Sequence, residues 1–285
     1  MIIQEKAVLV NFTAKGWSAR KYDRKVSKKI ENIYNADSAG RYNKVLVAMD
    51  KLNEITQLVS AFRRYHYKMT MPWDNHCALL PSAHIMKYGD EERLAKEKHE
   101  KLVREFIDEY PRLKENAKVS LNGMYREEDY PPVEKIKGKF EFGAFIQPIA
   151  DGNDFRVGVQ KEELVRIKAE YAKREQEVLA NGMGAIWQRT FDAVKHIADK
   201  LSEYNPDTKA KNSFRDTLIG NVVELVGLLP ALNIIDDPKL EDMRRELEQR
   251  ICTIQPENLR NDAQLRRDTA EIAKDMLKRM DGFSS

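Results

Sequence analysis

Gln160-Lys-Glu-Glu-Leu164-Val-Arg-Ile167-Lys-Ala-Glu-Tyr171-Ala-Lys-Arg-Glu-Gln-Glu-Val178 places apolar side chains at steps of three, four and seven residues, with charges filling the positions between. Those steps put the apolar groups on one stripe of a helix and the charges on the other faces. The stretch runs on without proline to Tyr204, so it predicts one helix of roughly 45 residues, about 65 Å long at 1.5 Å per residue. Its spacing begins like a coiled coil. Asn181-Gly182-Met183-Gly184 then weakens the middle and predicts a kink.

Downstream, Ser213-Phe-Arg-Asp216 has the spacing of a capping box and opens an apolar helix (Phe214, Leu218, Val222, Leu225, Leu228, Leu229) that Pro230 is expected to end. Asp237-Pro238 reads as an N-cap followed by proline at the first helical position, giving a helix to about Thr253. Pro256 opens the last helix.

Upstream, the period changes. Ile136 to Ile146 alternates around Phe140 and Phe142, and Phe155-Arg-Val-Gly-Val159 is a second β-prone run, so a hairpin or small sheet is expected, which could also pair with a strand at Ala7-Val-Leu-Val-Asn-Phe12. A helix is expected from Trp17 through Tyr22, Val26, Ile30 and Ile33, broken at Ser38-Ala39-Gly40. A second follows from Arg41 to Lys68 with Val45, Met49, Leu52, Ile55, Val59 and Phe62 inward. Met69 to Pro81, bracketed by Pro72 and Pro81, reads as a loop anchored by Trp73. A third helix is expected from about Ser82 to Asn122, with Leu94, Val103, Phe106, Ile107, Leu113, Ala117 and Leu121 inward and an interruption or kink at Pro111. The fold expected is mainly α: an elongated helical bundle of long helices with a small antiparallel β hairpin or sheet insertion. Residues 1–135, 136–160 and 161–285 form its three regions within one structural unit.

Composition agrees with an ordered helical chain: 285 residues, 33% charged and 42% hydrophobic, with 13 Gly and 10 Pro. Cys77 and Cys252 stand far apart and form no disulfide framework or metal-type pair. The opening residues lack the apolar core of a secretory signal. The longest apolar stretch, Val222 to Ile235, is interrupted by Glu224, Pro230 and Asn233 and is too short to span a bilayer. A cytoplasmic protein without membrane contact is expected.

Charge is unevenly spread. Residues 1–68 hold 14 Lys and Arg against 6 Asp and Glu, net +8, in a chain whose total is only +3. Within them Trp17, Arg20, Lys21, Arg24, Lys25 and Lys28 fall at helical spacings, echoed by Arg63-Arg64-Tyr65-His-Tyr-Lys68. Cations can neutralise phosphates and the rings of Trp17, Tyr22, Tyr65 or Tyr67 can stack on unpaired bases, so these residues are the candidate nucleic-acid site. The competing reading makes the rings core and the cations a solvated helix face.

Other chemistry is sparse. His66, His76 and His84 lie beside Asp74 and Cys77 but fit no zinc spacing. Acidic pairs are plentiful, yet they sit where helix starts and loops attract them. No phosphate-cradling glycine loop occurs. No catalytic residue, metal or cofactor is therefore assigned.

Trp17-Ser-Ala-Arg20-Lys21, Ala39-Gly40-Arg41, Met71-Pro72-Trp73-Asp74, Leu79-Leu80-Pro81, Asp129-Tyr130-Pro131, Asp154-Phe155-Arg156-Val157 and Leu232-Asn233-Ile-Ile-Asp236-Asp237-Pro238, in that order, resemble an uncharacterised family of tailed-bacteriophage proteins over nearly the whole chain. That family has no assigned activity. The resemblance implies a phage protein acting in the bacterial cytoplasm, among genes of DNA metabolism or host takeover. The leading expectation is a non-enzymatic, homo-oligomeric protein that binds nucleic acid, single-stranded DNA in particular. The alternative is a self-assembling helical scaffold, or an adaptor for a host defence factor or a partner ATPase. A third is an enzyme with a site around Trp73 to His84.

Overall fold

The computed structural model describes residues 3–74, 76–151, 160–204 and 215–280. They are mainly α-helical with a small antiparallel sheet. A single turn, α1 (Ile3–Lys6), precedes strand β1 (Ala7–Lys15), the short strand β2 (Arg20–Tyr22) and helix α2 (Arg24–Tyr34). Strand β3 (Asn43–Val45) leads to α3 (Asp50–Met69), then to strands β4 (Met71–Pro72) and β5 (Ala78–Pro81) and the long helix α4 (Ile85–Leu121). After α5 (Val133–Lys137) and β6 (Glu141–Gln147) come α6 (Lys161–Ser202), α7 (Thr217–Leu232), α8 (Pro238–Arg250), α9 (Pro256–Asn261) and α10 (Ala263–Met280). One sheet has the order β4-β5-β1-β6, and β2 pairs with β3 in a separate ribbon. Among the described residues no helix is long and apolar enough to cross a membrane.

Two compact units emerge. The first comprises Met1–Asn11, His66–Tyr88 and Phe145–Ser285. Here β1 lies antiparallel to β5, Ala7 opposite Pro81 and Val10 opposite Ala78. Helix α6 packs on α7 and α10, burying Met183, Ile186, Val194, Ile197 and Leu201 with Leu218, Val222, Leu229, Ala273 and Met276. Each large apolar side chain so buried contributes about 1.5–3 kcal/mol.

The second unit comprises Phe12–Tyr65 and Gly89–Ala144. Leu102, Phe106, Tyr110, Leu113 and Ala117 recur at steps of three and four along α4, which makes one apolar stripe. That stripe meets Leu52 and Ile55 of α3 together with Ala19, Leu46, Val47, Tyr130 and Ile136. A second cluster is aromatic: Phe12, Phe62 and Phe142 meet at 5.0–5.3 Å between ring centroids. His99 stacks on Phe142 at 5.2 Å.

Long periodic elements match their sequence patterns, while several short ones do not. The segment from Trp17 is not helical: Asp23 Oδ1 accepts from the backbone N–H groups of Lys25 and Val26, both at 3.1 Å, so the helix starts at Arg24. Arg20 and Lys21 therefore sit on a strand. Residues 41–49 likewise precede helix α3 and supply β3. Met69 to Pro81 contains two paired strands, Met71 opposite Leu79, with the turn closed by Asp74 Oδ1 accepting from His76 and Cys77 N–H. Pro72 is tolerated there because β4 is an edge strand. Leu94, expected inward, is 58% exposed. Pro230 lies inside α7, which continues to Leu232, and Asp262 separates α9 from α10. The strand at 141–147 joins β1 in one sheet; Phe155–Val159 and the start of the expected capping box, Ser213 and Phe214, lie outside the described residues.

Helix α6 runs unbroken through its two glycines, for different reasons. A Cβ at Gly182 would lie 3.1 Å from the Pro72 carbonyl oxygen and 3.2 Å from Met71 Cε, whereas a Cβ at Gly184 meets nothing within 4 Å. Gly182 is thus fixed by a close approach and Gly184 is not. Gly184→Ala should stabilise the protein by about 0.5–1 kcal/mol and Gly182→Val should destabilise it by about 1–3 kcal/mol in urea unfolding.

His99 is buried and its Nε2 has no hydrogen-bond partner among the described residues. Burial lowers its pKa, against a smaller opposing pull from Glu100. His84, in the first unit, is lowered by burial too. The unfolded chain therefore takes up protons that the folded chain resists, and stability is full above about pH 6.5 and falls as pH drops below it. Urea midpoints should decline between about pH 7 and pH 5, and His99→Phe should make that decline shallower, leaving the part due to His84.

Candidate nucleic-acid interface

Three bonds fix the start of α2. Asp23 N–H donates to the Tyr42 carbonyl at 2.9 Å, Tyr42 N–H donates to Ser27 Oγ at 3.0 Å, and Ser27 Oγ–H donates to the Asp23 carbonyl at 2.9 Å. This ties the helix to the residues entering β3, and the β2–β3 ribbon places Lys21 opposite Lys44.

Lys44 is the unusual member. It is only 2% exposed, and its ammonium lies 2.5 Å from Asp129 Oδ2 and 3.7 Å from Asp23 Oδ2, while donating to the Met124 carbonyl at 2.9 Å. The Asp129 contact is an ion pair. Asp23 is held below the usual carboxylate range first by the backbone N–H of Val26, then by Lys44, Lys25 N–H and Arg126, which together outweigh its burial. Such a charge inside a protein is tolerated only because its partners are in place.

Above this buried cluster opens a cleft of about 440 Å³ lined by Lys21, Tyr22, Asp23, Arg24, Lys25, Lys28, Lys44, Arg126 and Asp129. Six cations face two carboxylates, and both carboxylates already meet Lys44. Among the described residues Lys21, Arg24, Lys25, Lys28 and Arg126 make no ion pair. Elsewhere several surface cations are compensated within a helical turn, as Arg166 is by Glu163 and Glu170, Arg244 by Glu241 and Glu248, and Arg112 by Glu109, while others, such as Lys96 and Lys135, are exposed singly and do not converge on a cleft. The first turn of α2 has no acidic residue, so its cations add to the positive end of the helix dipole. The cleft is built to attract an anion.

Of the ten residues marked by the sequence, Lys21, Arg24, Lys25 and Lys28 come together here. Arg20 is exposed on β2 but does not line the cleft. Trp17 is partly buried and packs against Phe106 and Tyr110 of the core of its unit, at 6.1 and 5.7 Å. Arg63 and Arg64 are carried by α3, with Arg63 over the Phe12 ring at 6.0 Å, and neither lines the cleft. Tyr65 is half-buried against Phe62, and burial together with Glu91 and Asp90 pushes its phenol up to about 12. Lys68 pairs with Glu224 at 2.5 Å.

Lys44, Arg126 and Asp129 were missed by sequence reading. The latter two stand more than 80 positions downstream of Lys44, and only folding shows the connection. The histidines do not converge: His66 shares a hydrogen bond with Tyr88 OH at 2.8 Å, His84 Nδ1 faces the Met69 carbonyl at 3.2 Å, and His76 is exposed. Trp73 lines a smaller cleft of about 190 Å³ with Tyr171 and Arg174.

No known protein family, curated protein or solved structure matches this chain.

Lys44→Met should lower the urea midpoint at neutral pH, since it leaves two buried carboxylates facing each other. The deficit should shrink at acid pH, where protonation of a carboxylate removes the repulsion. A Lys44→Met/Asp129→Asn double variant should recover part of the loss.

Proposed function

We propose that this protein binds nucleic acid, without catalysing a reaction, by gripping phosphates in the cleft at the start of α2. The observation that carries the reading is the convergence on one concavity of five cations that make no ion pair among the described residues, Lys21, Arg24, Lys25, Lys28 and Arg126, while both carboxylates of that concavity meet Lys44. A phosphate backbone offers closely spaced negative charge, and neutralising it releases bound counterions. The cleft's floor cannot serve as the phosphate ligand, because Lys44 is committed to Asp23 and Asp129; binding falls to the rim. Together with the resemblance to tailed-bacteriophage proteins, this supports a role in phage DNA metabolism within the bacterial cytoplasm.

Fluorescence anisotropy with a labelled single-stranded oligonucleotide tests the reading. Affinity should fall with salt at a slope of about −3 in log K against log concentration, if the four exposed cations on β2 and α2 each displace counterions. Reversal of Lys21, Arg24, Lys25 and Lys28 to Glu should abolish binding, and the same reversal of Arg63 and Arg64 should have a much smaller effect. Absence of binding at low salt, or unchanged binding by the quadruple variant, would overturn it.

A further inference from the structure

The cleft contains one aromatic ring, and its setting differs from that of the rings the sequence favoured. Trp17 and Tyr65 are spent on neighbouring side chains within the protein. Tyr22 lines the cleft and is 43% exposed. The Arg41 guanidinium lies over its ring, 5.5 Å from the centroid.

We infer that Tyr22 is a base-stacking platform, with Arg41 backing one ring face and the other open to the cleft, and that it makes the site selective for unpaired bases; this rests on the nucleic-acid reading above. Chain connectivity sets the arrangement. Tyr22 is flanked by Lys21 on one side and by Arg24 and Lys25 on the other, so cations that hold a phosphate sit beside a ring that can hold the attached base. Arg41 restrains the ring and adds a cation–π contact to the face away from the ligand. A cleft of about 440 Å³ is within the range that holds small organic ligands, so one nucleotide unit fits. Every base has a π-face, so stacking of this kind tolerates any sequence. In a duplex those faces are already stacked on neighbouring base pairs, and Tyr22 would gain nothing.

The ligand assigned is therefore a single-stranded polynucleotide, recognised by phosphate and base face together. Three labelled probes separate the two contributions in anisotropy titrations: an oligothymidylate, a mixed-sequence duplex, and an abasic oligonucleotide that keeps the phosphates and lacks the bases. The wild-type protein should prefer oligothymidylate to both others. Tyr22→Ala should weaken oligothymidylate binding by about tenfold or more and leave duplex and abasic binding unchanged. Tyr22→Phe, which keeps the π-face, should behave as wild type. Thermal midpoints of the variants should match the wild type, since the ring is outside the core.

The inference is overturned if Tyr22→Ala binds oligothymidylate normally, if it loses all three probes alike, or if the wild type does not discriminate among them. Equal binding of all three probes by the wild type, abolished in the charge-reversal variant, would sink the stacking platform and leave the phosphate grip standing. No binding of any probe by the wild type would sink both.

Discussion

One ammonium group, that of Lys44, holds together the parts on which the cleft depends. It sits on β3, yet it is answered by the N-cap of α2 through Asp23 and by Asp129 from the segment after α4. Asp23 divides its carboxylate, Oδ1 accepting from the first turn of α2 and Oδ2 facing Lys44. The position of α2 is thereby tied to the ion cluster. A hydrophobic residue in place of the whole cluster would hold the same elements at lower desolvation cost, as buried ion pairs in general allow. What the cluster adds is electrostatic: both carboxylates of the cleft are paired with Lys44, so none is left to form an ion pair with Lys21, Arg24, Lys25 or Lys28.

The two faces of the second unit are accordingly built by different physics. Its interior is set by apolar area and ring packing, with Phe106, Tyr110 and Trp17 on one side and Phe12, Phe62 and Phe142 on another. The cleft is set by charges kept apart from partners, a local arrangement that costs stability through mutual repulsion. Tyr130 touches both, since its hydroxyl donates to the Leu46 carbonyl while its neighbour Asp129 meets Lys44.

Much of the helical architecture was legible because it is periodic over many turns. Lys161–Ser202 follows the spacing of Leu164, Ile167 and Tyr171, and Asp237-Pro238 starts α8 as an N-cap followed by proline should, with Asp237 accepting from Lys239 N–H. The β2–β3 ribbon was not legible, because three-residue strands carry no alternation to detect and Arg20, Lys21, Arg24 and Lys25 mimic a helical period across a strand and a cap. Four cations of the cleft were identifiable from charge density alone. Lys44 was not, since a buried lysine looks in sequence like any solvated one, and its acidic partners reach it from both sides in the chain. Trp17 and Tyr65 misled for the complementary reason: composition records a ring but not whether its faces are already occupied.

The order in which the chain is made gives the nested layout of the two units a temporal meaning. Every residue of the second unit, and with it every residue lining the cationic cleft, has been synthesised once Ala144 has been added. The first unit has to wait: Lys6 finds its ion-pair partner in Asp236, 230 positions later, and α6 packs against α10, downstream of both. Contacts so distant in sequence close slowly. On a ribosome, the cleft is therefore complete in sequence while the opening strand that precedes it still lacks most of the unit to which it belongs.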